Sequence, residues 1–385
     1  MTLRIAIVGH IRHPIAAPFK GGMEAFTHGL ARILAERGHE VTLLASEDSA
    51  ASLPPGVKLL PICDAHYDAR FPWHDFHGTD ALNDHLDACY ARAARLLLEG
   101  GFDVVHNNAL HRFLPRLSRA ERLPMVTSLH IPPFKVLRGA LMDGAAPWHL
   151  SSVVSARQRG IWWPEGAPDT AHVVHNGIDL DEWPQGGPGD GSAVWAGRIT
   201  PTKGTHLAAE AAQIAGVPLR IYGVVEHQDY FNDMVRPHLY GDVAYVGHLE
   251  TAALGAAYGR ASAALFTPQW EEPFGLAAVE AMATGLPVAA TPHGAVEEVL
   301  GEAGVIAAED SATALAQALL QARDIPAEVP RARVARFFDA QAMVTEFERL
   351  YHAARAQRDV ALPRKTYPAI ALQVERAPQS LAEAG

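Results

Sequence analysis

The stretch Gln269–Ala283 constrains the fold more than any other part of the chain. An apolar run, Ala263–Phe266, precedes it and predicts a buried strand. From about Gly275 the apolar residues follow helical spacing, and Thr284-Gly285 supplies the signal that ends the helix. The stretch therefore predicts a tight loop that joins the end of a strand to the N-terminus of a helix.

A junction of this kind is suited to binding an anion. The free backbone N–H groups and the positive end of the helix dipole attract a negative group, typically a phosphate. One carboxylate, Glu272, precedes the helix, and a second, Glu280, lies within it. Two carboxylates beside a phosphate site suit the hydroxyl groups of a sugar attached to that phosphate. We therefore expect a sugar-phosphate site here.

Length, composition and charge limit the classes of protein. A chain of 385 residues predicts two to three domains, and 49% hydrophobic with 19% charged residues is typical of a soluble globular protein. The net charge of −11 argues against a mainly nucleic-acid-binding role. The two cysteines, Cys63 and Cys89, are too few for a disulfide scaffold or a zinc site. With no signal-peptide core and no apolar stretch of about 20 residues, we expect a cytoplasmic protein.

The first residues predict a βαβ unit. Leu3–Gly9 reads as a buried parallel strand, a helix follows Gly21-Gly22, and Glu40–Leu44 is the next strand. The two glycines either contact a diphosphate or sugar or form a plain turn, and this unit alone does not decide between the two. Their spacing is not G-x-G-x-x-G, so the fingerprint of a nicotinamide cofactor is absent.

Three further segments of the first half carry candidate side chains. The predicted strand Pro124–His130 places His130 at its carboxyl end, where ligands collect in open α/β sheets. The helix predicted over Leu110–Arg122 carries arginines on one face, which can lie on a membrane, although a solvated face is favoured in so acidic a chain. Residues 63–90 are rich in aromatic residues and histidines that line a cleft or, in the favoured interpretation, pack on their own domain.

The βα pattern occurs twice along the chain. The Pro- and Gly-rich run Pro184–Gly191 is the most linker-like segment, and strands and helices resume after it. We therefore expect an α/β protein with an N-terminal Rossmann-like domain at residues 1–170 and a C-terminal one at residues 171–340, the two facing a deep cleft. A late helix occupies residues 341–360, and residues 361–385 predict a disordered tail.

Two basic residues, Arg198 and Lys203, lie in a strand-to-helix loop of the second half. Alone they would read as a solvated pair, but the helix N-terminus at Phe274-Gly275-Leu276 belongs to the same half. A charge-assisted hydrogen bond contributes about 1.5–3 kcal/mol, and a helix N-terminus about 0.3–1 kcal/mol. Together these groups can hold a departing diphosphate without a metal ion. The alternative metal candidate, Asp179-x-Asp181, is interpreted as structural.

These motifs together resemble the family 4 glycosyltransferases. The resemblance follows the chain in order over residues 3–356, and the seven residues between Glu272 and Glu280 match the E-x7-E signature of that family. It implies the GT-B fold, a nucleotide-sugar donor, retention of configuration, and a late helix that crosses back to the first domain. The matching motifs are Gly21-Gly22-Met23-Glu24, His130, Asn176-Gly177-Ile178-Asp179, Gly197-Arg198, Lys203-Gly204 and Glu272 through Glu280.

The resemblance also implies roles for individual residues. His130 would lie against the donor sugar, Glu272 would touch its hydroxyl groups, and Arg198 with Lys203 would stabilise the leaving diphosphate. Glu280 would hold the ribose. The other donor-binding positions, which would meet the diphosphate or the base, are Gly21, Gly22, Gly223, His248, Leu249, Phe274, Gly275 and Leu276.

The resulting hypothesis is a retaining, metal-independent glycosyltransferase without a cofactor, which moves a sugar from a nucleoside diphosphate to an acceptor hydroxyl. The acceptor is a sugar, a lipid or a small molecule, nucleic acid is not expected as a partner, and only the arginine-bearing helix favours a membrane. The alternatives are a nicotinamide oxidoreductase, disfavoured because no G-x-G-x-x-G follows Val8 or Ala196, and a nucleotide-sugar-binding homologue without transferase activity.

Overall fold

The computed structural model describes residues 2–367, and these divide into two compact units. Unit 1 contains residues 2–153, 159–174 and 344–367, and unit 2 contains residues 154–158 and 175–343. Each unit is built on one parallel β-sheet with helices. The predicted α/β class with two Rossmann-like parallel sheets is confirmed.

The sheet of unit 1 has seven strands in the order β3-β2-β1-β4-β5-β6-β7. All neighbouring strands run parallel. The first predicted strand lies inside the sheet, and its residues from Ile5 to Val8 are fully buried, as expected for a parallel strand covered on both faces. The strands are β1 Arg4–Val8, β2 Glu40–Ser46, β3 Val57–Cys63, β4 Val104–Asn107, β5 Met125–Leu129, β6 His149–Val153 and β7 Ala171–Val173.

The helices of unit 1 pack apolar stripes on this sheet. The first one buries Phe26, Leu30, Ile33 and Leu34, which recur at helical spacing. The third begins at an N-cap, where the Oγ1 of Thr79 accepts a hydrogen bond from the backbone N–H of Leu82. Six α-helices precede β7 in the described chain: α1 Gly22–Glu36, α2 Trp73–Phe76, α3 Asp80–Glu99, α4 Phe113–Glu121, α5 Lys135–Asp143 and α6 Ala156–Trp162.

The sheet of unit 2 has six parallel strands in the order β10-β9-β8-β11-β12-β13. The strands are β8 Ala193–Ala196, β9 Leu219–Tyr222, β10 Val243–Gly247, β11 Ala263–Phe266, β12 Val288–Ala290 and β13 Gly304–Ile306. Along β8, Val194 packs in one apolar cluster and Trp195 in another. The sheet is therefore covered on both faces.

The remaining helices are those of unit 2 and the last helix, α14. They are α7 Thr205–Ala215, α8 Gln228–Tyr230, α9 Thr251–Tyr258, α10 Leu276–Ala283, α11 Val296–Leu300, α12 Ala312–Ala322, α13 Glu328–Phe337 and α14 Ala340–Ala356. The linker-like run Pro184–Gly191 lies inside unit 2, where the backbone N–H of Gly187 donates to the carbonyl of Gly259 at 3.0 Å.

From Val344 onward α14 belongs to unit 1. Its Phe347 ring lies 5.9 Å from that of Phe26, and its buried Tyr351 hydroxyl is 2.7 Å from the Nδ1 of His106. These contacts join the last helix to α1 and β4. Among residues 2–367, none of the helices combines the length and the apolarity that a membrane crossing requires.

The arginine face of α4 is occupied by the chain that follows α14. Arg119 donates to the carbonyl of Pro363 at 2.6 Å, and Arg122 donates to the carbonyls of Arg358 and Val360 at 3.0 and 2.9 Å. Of the predicted disordered tail, Pro363 thus contacts Arg119 of α4. Residues 368–385 of that tail lie outside the described part of the chain. The arginines are engaged within unit 1 rather than forming a simple solvated face.

We predict that Tyr351→Phe lowers the free energy of unfolding by about 1–2 kcal/mol, because the buried ring of His106 loses a hydrogen bond. Urea titration followed by circular dichroism measures the change. Tyr240, whose side chain is 61% exposed, provides the matched control, and Tyr240→Phe should leave the midpoint unchanged. Equal midpoints for the two variants would contradict this role of Tyr351.

Candidate active site

Two loops of unit 2 meet at the carboxyl ends of neighbouring strands β8 and β11. The backbone N–H of Gln269 donates to the carbonyl of Thr202 at 2.8 Å, and the Oγ1 of Thr267 donates to the carbonyl of Lys203 at 2.8 Å. At Gly204 the backbone has a φ of +61°, and a Cβ there would lie 2.3 Å from the carbonyl oxygen of Thr267. Glycine is therefore required for the close approach of the two loops.

The closest contact between these loops joins two predicted site residues. The Nζ of Lys203 lies 2.6 Å from the Oε2 of Glu272. The indole Nε1 of Trp270 donates to the same oxygen at 2.8 Å, and the Nζ of Lys203 lies 5.4 Å from the centre of the indole ring. Glu272 is buried. Within residues 2–367 its other oxygen, Oε1, has no hydrogen bond, so this oxygen is available to a ligand hydroxyl.

The predicted strand-loop-helix junction is present at the same place. β11 ends at Phe266, and α10 begins at Leu276 after Gly275, whose φ is +102°. A Cβ on Gly275 would lie 2.8 Å from the Cζ of Phe266, so this position also requires glycine. No side chain of the described residues caps the helix. Its first N–H groups, near Phe274, Gly275 and Leu276, therefore point to a position where an anion can bind.

Arg198 follows β8 and is paired with a residue that the sequence analysis did not single out. Its Nη1 lies 2.8 and 3.0 Å from the two carboxylate oxygens of Glu226, which follows β9. The Arg198 side chain is half-exposed. Exposed ion pairs of this kind contribute only about 0–1 kcal/mol, so a diphosphate can replace Glu226 as the partner of Arg198.

The predicted base-binding positions follow the next two strands. Gly223 comes directly after β9, and the hydroxyl of Tyr245 donates to its carbonyl at 2.9 Å. His248 and Leu249 come directly after β10; His248 is exposed and Leu249 is partly buried. Since the strands are parallel, these residues lie at the same edge of the sheet as Arg198.

Glu280 lies on α10 and has an unusual environment. Burial raises the pKa of its carboxyl group to about 7. Among the described residues, no hydrogen bond or ion pair involves this carboxyl group. A partly buried acid without a partner is suited to accept hydrogen bonds from ligand hydroxyls once it is ionised.

The remaining predicted site residues lie in unit 1. Gly21 precedes α1 and Gly22 is its first residue, and no side chain of the described residues caps this helix. His130 follows β5, with its ring 4.4 Å from that of Phe26. Burial lowers the pKa of His130 to about 4, so its imidazole is neutral at pH 7. Its Nε2 is buried and has no hydrogen-bond partner in the described chain.

The other motifs of the sequence analysis have structural partners. The Oδ1 of Asp179 accepts a hydrogen bond from the backbone N–H of Asp181 at 3.1 Å. Tyr67 and Phe71, from the aromatic-rich segment, pack in an apolar cluster of unit 1. Within residues 2–367, no group of three or more His, Cys, Asp or Glu residues is arranged to hold a metal ion.

Comparison with solved structures identifies the fold class. The HepE protein of Anabaena, solved in complex with UDP-glucose, matches 91% of this chain and 100% of its own with a TM-score of 0.68 at 18% identity. The fold is thus the GT-B fold, as predicted.

Comparison with sequences defines the family. The family model described as "Glycosyltransferase Family 4" matches residues 20–182, and the one described as "Glycosyl transferases group 1" matches residues 188–333. The chain belongs to the family 4 glycosyltransferases, and it is a nucleotide-sugar-dependent glycosyltransferase. The predictions of family and enzyme class are confirmed, whereas the roles of individual residues stay predictions.

Two curated relatives match the chain over most of its length. The glycogen synthase of Mycobacterium tuberculosis is 28% identical over 94% of this chain and 97% of its own. The phosphatidyl-myo-inositol mannosyltransferase of Mycolicibacterium smegmatis is 28% identical over 80% of this chain and 82% of its own. The chain is thus similar to enzymes with different acceptors.

Glu280 generates a prediction about the stability of the ligand-free protein. Its pKa is about 7 in the folded state, above the usual value of 4.5. Between these pH values the folded state holds a proton that the unfolded state has lost, so this group's contribution to the free energy of unfolding falls as pH rises from 4.5 through 7. Glu280→Gln should therefore be more stable than the wild type at pH 8, by on the order of 1–3 kcal/mol, and nearly equal at pH 4.5.

Thermal unfolding at the two pH values measures this difference. Glu297, an exposed residue of α11, provides the control, and Glu297→Gln should shift the midpoint equally at both. A Glu280→Gln variant with the same shift at pH 4.5 and pH 8 would show that the carboxyl group is not desolvated.

Proposed function

We propose that the protein is a retaining glycosyltransferase that transfers a sugar from a nucleoside diphosphate to an acceptor hydroxyl without a metal ion. The observation that carries the proposal is the contact of Lys203 with Glu272, whose Nζ and Oε2 are 2.6 Å apart. Glu272 lies in the loop that leads to the uncapped N-terminus of α10. The contact places a cation, a carboxylate and free N–H groups in one loop cluster, as a sugar diphosphate requires.

The leaving diphosphate is held by Arg198, Lys203 and the first N–H groups of α10. Negative charge develops on the diphosphate as the bond to the sugar breaks, and preorganised donors stabilise that charge most strongly. Two cations and a helix N-terminus supply the compensation that a divalent metal gives in other transferases. The reaction therefore needs no metal ion and no cofactor.

Glu272 and Glu280 bind the donor rather than react with it. The Oε2 of Glu272 already accepts hydrogen bonds from Lys203 and Trp270, which reduces its ability to attack the sugar. Its Oε1 accepts a sugar hydroxyl, and Glu280 accepts the hydroxyls of the ribose. Without an enzyme nucleophile, retention follows from attack of the acceptor on the face that the diphosphate leaves, and a departing phosphate oxygen takes the acceptor proton.

Unit 1 contributes neutral groups to the same reaction. The unpartnered Nε2 of His130 forms a hydrogen bond with a hydroxyl of the donor sugar, and the N–H groups at Gly21 and Gly22 contact the diphosphate. In this proposal the donor carries a hexose or a related sugar, and the name of the relative from Mycolicibacterium smegmatis, a mannosyltransferase, supports a hexose. The acceptor is a sugar, a lipid or a small molecule, and we place the enzyme in the cytoplasm because its cysteine content suits a reducing compartment.

A thermal-shift panel of UDP-, GDP- and ADP-sugars tests the proposal. Any donor that binds the folded protein raises the unfolding midpoint by mass action. The selected donor is then incubated with the enzyme, and release of the nucleoside diphosphate is measured. Binding without hydrolysis or transfer would favour the alternative, a nucleotide-sugar-binding homologue without transferase activity, and no binding would contradict the proposal.

We predict that Arg198→Ala reduces the kcat of donor hydrolysis on the order of 100-fold, because a donor to the leaving diphosphate is lost. Lys203→Gln should have a similar effect while it retains a hydrogen-bond donor toward Glu272. Thermal midpoints verify that both variants fold. Lys58→Ala, at an exposed position of β3, is the control and should match the wild type. Wild-type activity in either site variant would refute the leaving-group role.

We also predict that EDTA changes the initial rate of donor hydrolysis by less than about twofold, because the cations of the chain replace a metal. The assay compares enzyme dialysed against chelator with enzyme supplied with Mg²⁺ or Mn²⁺. An activity that depends fully on the added ion would contradict the metal-independent reaction.

A further inference from the structure

A short segment of unit 2, residues 154–158, is bound to the loop that carries Glu272. The Oγ of Ser155 donates to the carbonyl of Pro273 at 2.7 Å. The guanidinium of Arg157 donates through Nε and Nη2 to the two carboxylate oxygens of Glu271, at 3.0 and 2.8 Å. The residues immediately before and after Glu272 are thus both held by this segment.

The segment itself is fixed by one carboxylate. Glu298, on α11, accepts hydrogen bonds from the backbone N–H groups of Ala156 and Arg157 at 2.8 and 3.1 Å. The Nε2 of His175 lies 2.8 Å from the same carboxylate. Glu298 thus binds the backbone of Ala156 and Arg157, the two residues that follow Ser155, and connects the segment to α11.

The backbone of Glu272 is also held on another side. Its carbonyl accepts a hydrogen bond from the N–H of Ala295, one residue before α11 begins, at 2.9 Å. The next aromatic residue of the loop, Phe274, stacks on the ring of His175 with 6.0 Å between centroids. Glu298 and its neighbours on α11 therefore connect both supports of the loop.

We propose that Ser155 and Arg157 are positioning residues that set the orientation of Glu272 and thereby the affinity for the sugar part of the donor. The proposal rests on the proposed function, in which Oε1 of Glu272 accepts a sugar hydroxyl. Neither Ser155 nor Arg157 touches the donor in this mechanism. Their effect is larger for the sugar than for the diphosphate, because Arg198 and Lys203 hold the diphosphate from the loop after β8, whereas Glu272 lies directly between the two residues that this segment binds.

The Arg157–Glu271 pair gives the sharpest test. Both side chains are half-exposed, at 54% and 48%, and exposed ion pairs contribute little to global stability. The bidentate geometry, however, fixes the loop in a defined orientation. Removing either partner should therefore change binding of the sugar while the unfolding midpoint stays nearly constant.

The experiment measures two dissociation constants for each variant by calorimetry: one for UDP-glucose and one for UDP, or for the GDP or ADP counterparts if the donor panel selects those. Arg157→Ala and Glu271→Gln should each weaken the nucleotide sugar about threefold to tenfold, while the nucleoside diphosphate changes less than about twofold. The double variant should lose no more than either single variant, because the two residues act as one pair.

The pair Arg349–Glu346 on α14 is the matched control. Its atoms are 2.9 Å apart and its side chains are 57% and 51% exposed, so Arg349→Ala should leave both dissociation constants unchanged. Ser155→Ala provides an independent variant for the second contact and should weaken the nucleotide sugar selectively as well.

Two results would overturn the inference alone: wild-type affinity for the nucleotide sugar in the Arg157 and Glu271 variants, or an equal loss for the sugar and the diphosphate. Neither result would contradict the proposed function, because in both cases the wild-type protein still binds the nucleotide sugar. A wild-type protein that binds none of the nucleotide sugars would instead overturn the proposed function and the inference with it.

Discussion

The site depends on one ion pair between two loops that are distant in sequence. Lys203 and Glu272 come from the loops after β8 and β11, which are neighbours in the sheet of unit 2. Burying an ionised carboxylate is costly, and Lys203 and Trp270 offset this cost at Glu272 by donating to its Oε2. The same contact leaves Oε1 for the ligand. Strand pairing, more than any local motif, produces this arrangement.

The candidate site residues differ in their charge at neutral pH. Burial lowers the pKa of His130 to about 4, so its imidazole is neutral at neutral pH, and raises that of Glu280 to about 7, so its carboxyl group is about half protonated in the ligand-free protein. An ionised Glu280 would repel an approaching diphosphate, and its raised pKa reduces that repulsion. In the proposed reaction the attraction for the diphosphate comes from Arg198 and Lys203, each of which is paired with a carboxylate in the ligand-free protein.

Sequence patterns predicted the parts of the fold that local chemistry determines. The strand at Ala263–Phe266 and the helix from Leu276 follow from an apolar run, a tight loop and helical spacing, and both are present. Partners that come from elsewhere in the chain were not predictable. Glu226 has no motif that marks it, since it reaches Arg198 only through the pairing of β8 with β9. The arginines of α4 were expected to face solvent, yet Arg119 binds the carbonyl of Pro363, 244 positions away.

In the proposed site, different loops of unit 2 bind the diphosphate and the sugar of the donor. A diphosphate is common to all nucleoside-diphosphate sugars, so in the proposed reaction Arg198, Lys203 and the N-terminus of α10 stabilise the leaving group whatever sugar is attached. In the proposed function the sugar is recognised at the loop that carries Glu272, and this loop is bound at Pro273 and Glu271 by residues 155–157. Since those residues lie outside the E-x7-E motif, the orientation of Glu272 can change while the motif is unchanged. Sugar preference can therefore differ between relatives that hold the diphosphate in the same way.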